Sequence, residues 1–179
     1  IYAATITPAG VEAAAQVADG FFPIWMDPDQ YSVFQGPIER GFAKAGNKTL
    51  ADFDIAPFVT ASIGADVSEC MKPIRNHMAL YIGGMGARGK NFYNDYCKRL
   101  GFEDAAVRIQ DLYLAGRKVE AAAAVPAELI DACHLVGPAA RIRERAQRWK
   151  AAAQNGHVGS MLIGAQSPEM LDLLADALL

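Results

Sequence analysis

The chain has little of what marks the commoner catalytic and metal-binding designs. Its three cysteines, Cys70, Cys97 and Cys133, stand far apart and show no Cys-x-x-Cys spacing. That argues against a disulfide framework and suits buried or half-buried thiols in a reducing compartment. Its three histidines, His77, His134 and His157, include no i, i+4 pair and no H-E-x-x-H, so no metal site is expected. No G-x-S-x-G elbow is present, although composition alone leaves a Ser-His-Asp set open. No apolar run approaches the roughly 18 residues of a membrane span. Neither sign of charge dominates: 17 Lys and Arg face 20 Asp and Glu, for a net charge of −3. Nucleic acid is therefore not the expected partner, because phosphate binding needs a basic surface.

What is present fits one globular domain over residues 1–179, long enough to bury a core. The chain opens on the apolar run Ile1-Tyr2-Ala3-Ala4 with no charged leader, as if it were the later part of something longer. Ile1 to Ile6 predicts a buried strand. Thr7 suits an N-cap and Pro8 the first helical position, and Val11, Ala14, Ala15 and Ala18 repeat at helical spacing. Asp19-Gly20 ends that helix, and Phe21 to Trp25 predicts a second buried strand. Strand, helix and strand so close together make a βαβ unit, hence a parallel sheet. Further on, the pattern predicts a helix from Tyr31 to Ala45, one strand over Ile55 to Ile63, and a helix from Ser68 to Ile82. Gly83 to Asp95 is expected to be an ordered, glycine-jointed loop. Helices follow over Phe102 to Leu114 and from Pro126 to Cys133. Leu135 to Pro138 reads as a turn into a basic helix, Ala139 to Ala153, with Ile142, Ala146, Trp149 and Ala153 inward. His157 to Ile163 is a fourth strand, and Ser167-Pro168 caps a last helix with Met170, Leu171, Leu174 and Leu178 inward. Four strands with helices between them make roughly half of an eight-stranded α/β barrel. A small open doubly-wound sheet fits the same pattern.

Several stretches could carry chemistry. Thr5-Ile6-Thr7-Pro8 joins a strand end to a helix start, where N–H groups and the helix dipole favour an anion. An ordinary capped helix has the same signature. Gly84 to Gly89 matches G-x-G-x-x-G, but a predicted helix precedes it where the dinucleotide fingerprint needs a strand. Lys90 is followed by Asn91, which breaks the P-loop pattern. Arg88, Lys90, Asn91 and Tyr93 suit either an anionic or polar ligand or a solvated loop, and Phe92, Tyr93 and Tyr96 suit a subunit contact equally well. Arg141, Arg143, Arg145, Arg148 and Lys150 read as a solvated basic face.

Three stretches resemble the luciferase-like monooxygenase superfamily, and within it the deazaflavin (coenzyme F420)-dependent oxidoreductases. They are Ile1 to Pro8 running on to Val17-Ala18-Asp19-Gly20, Leu80 to Asp95 with its Gly-Gly-Met-Gly and Asn-Phe-Tyr-Asn, and Leu135 to Pro138 with Arg141 to Arg145 and Trp149. The resemblance implies an α/β fold of the (β/α)8 TIM-barrel type, to which this chain supplies roughly the last four βα units. It implies hydride transfer between reduced F420 and an organic substrate, with FMN as the alternative cofactor. A non-catalytic flavin-binding or dimerisation protein is the reading from a different class. The family's pattern places the cofactor phosphate at Thr5, Ile6, Thr7 and the following helix with Val11, although relatives often carry glycine where Thr7 stands. Trp25, Arg88, Lys90 and Asn91 are the expected contacts to substrate or cofactor tail, and no catalytic residue is assigned. The partners implied are a small-molecule substrate, the N-terminal half of the barrel and a second copy in a homodimer, in the cytoplasm. A half barrel leaves strand edges open and a core face uncovered, so this polypeptide alone is not expected to be a competent enzyme.

Overall fold

Two short parallel sheets carry the strands. The computed structural model describes residues 1–165 and 167–179. In the first sheet β1 (Tyr2–Ala4) pairs with β2 (Gly20–Phe22), which pairs with β3 (Asp54–Ile55). In the second, β4 (Phe58–Ile63) lies between β5 (Leu135–Gly137) and β6 (Leu162–Ala165). All pairings are parallel, with Tyr2 opposite Gly20, Gly20 opposite Asp54, Ala61 opposite Leu135 and Phe58 opposite Leu162. A bridge from Ile24 to Phe58 joins the two sheets.

The single strand expected over Ile55 to Ile63 is split at Ala56-Pro57. The odd-numbered residues face β6 here: the carbonyls of Ile55 and Pro57 accept from Gly159 and Leu162. Pro57 has no N–H to return, so the ladder breaks there. Phe21 to Trp25 is likewise shorter than expected, ending as a strand at Phe22. Leu135 to Gly137 is a strand rather than a turn, completely buried against β4. The last strand falls at Leu162–Ala165, later than His157 to Ile163, because Asn155 to Ser160 is spent on leaving the preceding helix.

Helices cover one face of the sheets. They are α1 (Pro8–Val17), α2 (Ser32–Ala45), α3 (Val67–Gly84), α4 (Phe92–Arg99), α5 (Glu103–Leu114), α6 (Lys118–Ala123), α7 (Ala127–Cys133), α8 (Ala139–Gln154) and α9 (Pro168–Leu178). Thr7 caps α1 by accepting from Gly10 N, with Pro8 in the first turn, as its sequence predicts. Gly46 ends α2 at φ 86°, a left-handed position that suits glycine. Ala3, Phe21, Ile55, Val59 and Ala61 point into the helical layer and join the core. The alternate residues point the other way. Tyr2 is 53% and Leu162 44% exposed, and Phe22 and Phe58 are half-buried, edge to face at 6.2 Å. A doubly-wound sheet would carry a second helix layer there. On α8 the inward residue is Ala152 rather than Ala153, and on α9 Leu173 and Ala177 are buried while Leu171 is exposed.

The glycine-rich segment is a loop only at its centre, because helices enter it from both ends. α3 runs through Gly84, and only Met85 to Asn91 separates it from α4. The G-x-G-x-x-G match therefore follows a helix. Asn91 makes the second helix possible. Its side-chain oxygen accepts from Tyr93 N at 3.0 Å and Asn94 N at 3.2 Å. Its amide donates to the carbonyls of Tyr81 at 2.9 Å and Ile82 at 3.0 Å. One buried side chain thus caps the start of α4 and ties it to α3. Asn91→Ala removes the cap and the donor to the Tyr81 carbonyl, while Ile82 keeps the Asn94 amide, and is expected to cost about 2–4 kcal/mol in denaturant unfolding. Lys90→Ala, beside it on the surface, is expected to stay within about 0.5 kcal/mol. Equal effects from the two would contradict this role for Asn91.

Candidate functional site

β2 ends on an unusual turn. Trp25 is 1% exposed and has φ 53°, a left-handed conformation that a bulky residue adopts only when its surroundings force it. Its carbonyl accepts from Tyr96 Oη at 3.0 Å and from Cys133 Sγ at 3.1 Å. These donors come from α4 and α7, far along the chain. Burial raises the Tyr96 phenol well above its ordinary value, with Cys133 adding to the effect, and burial raises the Cys133 thiol too, so both remain protonated donors. Two residues on, buried Asp27 accepts from Asp29 N, Gln30 Nε2 and Arg148 Nη2, the last at 2.7 Å. Arg148 also reaches Asp29 at 2.6 Å.

The basic face of α8 is therefore not simply solvated. Arg148 locks the β2 end, and Arg141 pairs with Asp131 at 2.6 Å and donates to the Val136 carbonyl at 2.7 Å. Arg145 donates to the Asp131 carbonyl. Arg143 remains on the surface.

Above this turn an aromatic group gathers. The Trp25 indole lies 5.8 Å from Tyr93, 5.9 Å from Tyr81 and 6.1 Å from His77, centre to centre. Tyr81 meets Tyr93 at 4.7 Å and His77 at 4.4 Å. Two cavities flank the group. The larger, about 430 Å³, lies over the C-terminal ends of β1 and β2 and is lined by Thr5, Ile6, Thr7, Ile24, Tyr81 and Tyr93, among others. The smaller, about 260 Å³, lies between β4 and α3 and includes Trp25, Phe58, Thr60, His77 and His134. Ile24 lines both. Binding sites of α/β sheets open at this end of the strands.

Thr5, Ile6 and Thr7 thus meet in one cavity, as their positions in the sequence suggest. Gly10 lets them close over the first turn of α1: a Cβ there would stand 2.0 Å from Thr5 Oγ1 and 2.8 Å from Thr7 Oγ1. Val11 is completely buried beneath the turn, its N–H on the Thr7 carbonyl, and supports the turn from the core. Trp25 lines the smaller cavity and packs behind Tyr81 and Tyr93 of the larger one, while Ile24 is the wall the two cavities share. Asn91 spends its side chain on the helix cap described above. Arg88 is paired with Asp111 at 2.8 Å, and neither it nor Lys90 lines the larger cavity.

Arg99 was not visible as a site residue in the sequence. It lies far from the turn in sequence, yet its Nη2 donates to the Ile6 carbonyl at 2.7 Å and its guanidinium lies over the Tyr96 ring. Its Nε is enclosed with no hydrogen-bond partner among the described residues. Burial lowers its pKa, a sign that the cation has given up solvent. Its only signal was to be a basic residue in the last turn of a short helix.

The chain belongs to the luciferase-like monooxygenase family, whose model matches residues 1–156. Over 169 residues it is 33% identical to a Mycobacterium tuberculosis protein whose name proposes a coenzyme F420-dependent oxidoreductase, covering 94% of this chain and 48% of that one. Among solved structures, the coenzyme F420-dependent tetrahydromethanopterin reductase of Methanopyrus kandleri superposes with a TM-score of 0.67 at 19% identity, covering 97% of this chain and 47% of that one. An F420-dependent secondary alcohol dehydrogenase, solved with an F420–acetone adduct, gives 0.62 at 15% identity, covering 97% and 45%. The chain spans about half the length of these relatives. Its fold is that of the luciferase-like α/β barrels, which decides against the doubly-wound sheet. Among the described residues no helix is long and apolar enough to cross a membrane.

His134 is the other residue whose role the sequence concealed. It is 2% exposed, and its Nδ1 accepts from Thr60 N at 3.2 Å. Burial, with a smaller contribution from His77, lowers its pKa from 6.5 to about 3. The folded chain therefore holds the ring neutral, while the unfolded chain protonates it below about pH 6.5. The resulting stability is complete above that value and is lost as the pH falls towards 3. Between pH 7 and pH 5 this one group is expected to remove about 2 kcal/mol. Denaturant unfolding at the two values checks it: His134→Asn, whose oxygen can still accept from Thr60, should lose that share of the pH dependence. An unchanged dependence in the variant would contradict the burial of a neutral ring.

Proposed function

We propose that the chain forms the cofactor-phosphate side of an oxidoreductase that moves a hydride between reduced deazaflavin F420 and a small organic substrate. The observation that carries this is the turn Thr5-Ile6-Thr7, closed over Gly10 at the start of α1 and backed by Arg99. Two hydroxyls, a helix N-terminus and a half-buried cation with one unpartnered N–H suit a phosphate group. Thr5, Ile6, Thr7 and Arg99 would hold the coenzyme, with Val11 supporting the turn. F420-dependent relatives and structural neighbours favour this coenzyme over FMN. When bound, the coenzyme supplies the carbon centre that gives or takes the hydride.

The chain's own residues supply position and enclosure. Ile24, Tyr81 and Tyr93 wall the cavity, and Trp25 packs against both tyrosines from behind. Asn91 holds Tyr93 in place through the start of α4, and Arg88 and Lys90 stand on the connecting turn as contacts for the coenzyme's tail. The uncovered apolar face of Tyr2, Phe22, Phe58 and Leu162 is closed by the preceding half of the barrel. That half completes the wall around the reacting centre.

Arg99→Met is expected to weaken F420 binding by the intact protein about tenfold to a hundredfold, read by fluorescence titration, since a charge-assisted hydrogen bond is at stake. Spectra of the loaded protein separate deazaflavin from flavin. A wild-type protein that takes up neither would contradict the proposal.

A further inference from the structure

We infer that the smaller cavity, bounded by Ile24, Trp25, Phe58, Thr60, His77 and His134, binds a small uncharged molecule through an oxygen atom that accepts a hydrogen bond from Nε2 of His134. The geometry of the cavity carries this site. Its assignment as the substrate's compartment rests on the coenzyme reading above.

The tautomer of His134 follows from its neighbour. Thr60 N–H occupies Nδ1, so the neutral ring carries its proton on Nε2. That N–H is buried and has no partner among the described residues. Buried donors are almost always satisfied, and an isolated one is costly, so this one is poised for an acceptor. The ring cannot turn away without releasing the Thr60 N–H.

The surrounding residues limit what that acceptor is. No carboxylate, lysine or arginine is among the described residues that line the cavity. Burial lowers the pKa of His77 as well as that of His134, so neither ring supplies a positive charge at neutral pH. A charged ligand would lose its hydration with nothing in this chain's share of the lining to replace it. Ile24, Trp25, Phe58, Pro73 and Ile74 offer apolar contact instead. The volume of about 260 Å³ lies below the roughly 300–1,000 Å³ usual for drug-sized ligands. A small ketone, aldehyde, ester or alcohol meets all these conditions. The shared wall at Ile24 sets such a molecule beside the larger cavity.

Cyclohexanone and its near-isostere methylenecyclohexane, which lacks the acceptor oxygen, test the site in the intact protein. Titration followed by ¹⁵N NMR of the imidazoles should move the His134 Nε2 resonance with the ketone only. The ketone should bind about threefold to tenfold more tightly than the alkene. His134→Asn, which keeps an acceptor for Thr60 but loses the donor, should bind the two alike. A His134 resonance that stays still at saturating ketone overturns the site, and this measurement needs no variant to fold. An unchanged ketone preference in His134→Asn overturns it too. A protein that binds the ketone at His134 but takes up no deazaflavin refutes the coenzyme reading and leaves this site standing. Coenzyme uptake with no ketone binding does the reverse.

Discussion

The carbonyl of Trp25 is the point on which the site depends. A tryptophan with left-handed backbone costs on the order of 1–3 kcal/mol, and the cost is offset only if the surroundings hold it there. Tyr96 and Cys133 do so with two donors on one oxygen, in a place closed to water. Arg148 adds a third hold through Asp27. Three helices from distant parts of the chain thus converge on one strand end. Their packing becomes the position of an indole, which lines the smaller cavity and supports the Tyr81 and Tyr93 wall of the larger one.

The edge of β4 shows a related economy. Its even-numbered N–H groups find acceptors in turn from β2, from a side chain and from β5. Ala56 and Phe58 donate to Phe21 and Pro23, and Gly64 donates to Gly137. Between them β2 has turned away at Trp25 and β5 has not begun, and His134 supplies the missing acceptor to Thr60. A buried N–H without a partner is costly, so the ring position is held by the sheet. The left-handed turn at Trp25 opens the gap that His134 fills. The other nitrogen of that ring then faces the remaining partner problem in the smaller cavity.

Much of the fold was legible in the sequence because it depends on local rules. Thr7-Pro8, Gly46 and the spacing of Val11, Ala14 and Ala15 declare α1 and the end of α2 through capping and periodicity. The turn Thr5-Ile6-Thr7 was legible for the same reason. What the sequence concealed depends on contacts between distant residues. Arg99 meets Ile6, and His134 meets Thr60, only after the chain has folded. Asn91 was open to a local reading: asparagine favours N-caps, and Asp95 follows in the first turn. The aromatic residues and glycines around it drew attention to a loop instead. The basic residues of α8 misled because three of them find carboxylates or carbonyls that helical spacing alone does not reveal.

The most direct measurement is a crystal structure of the intact protein carrying Tyr96→Phe and Cys133→Ala together. These changes remove both donors to the Trp25 carbonyl and leave the backbone of α4 and α7 intact. The expected result is that Trp25 leaves the left-handed region and its indole moves off Tyr81 and Tyr93, changing the shape of the smaller cavity. A Trp25 that keeps its φ near 53° with the indole in place would contradict the central role given to that carbonyl.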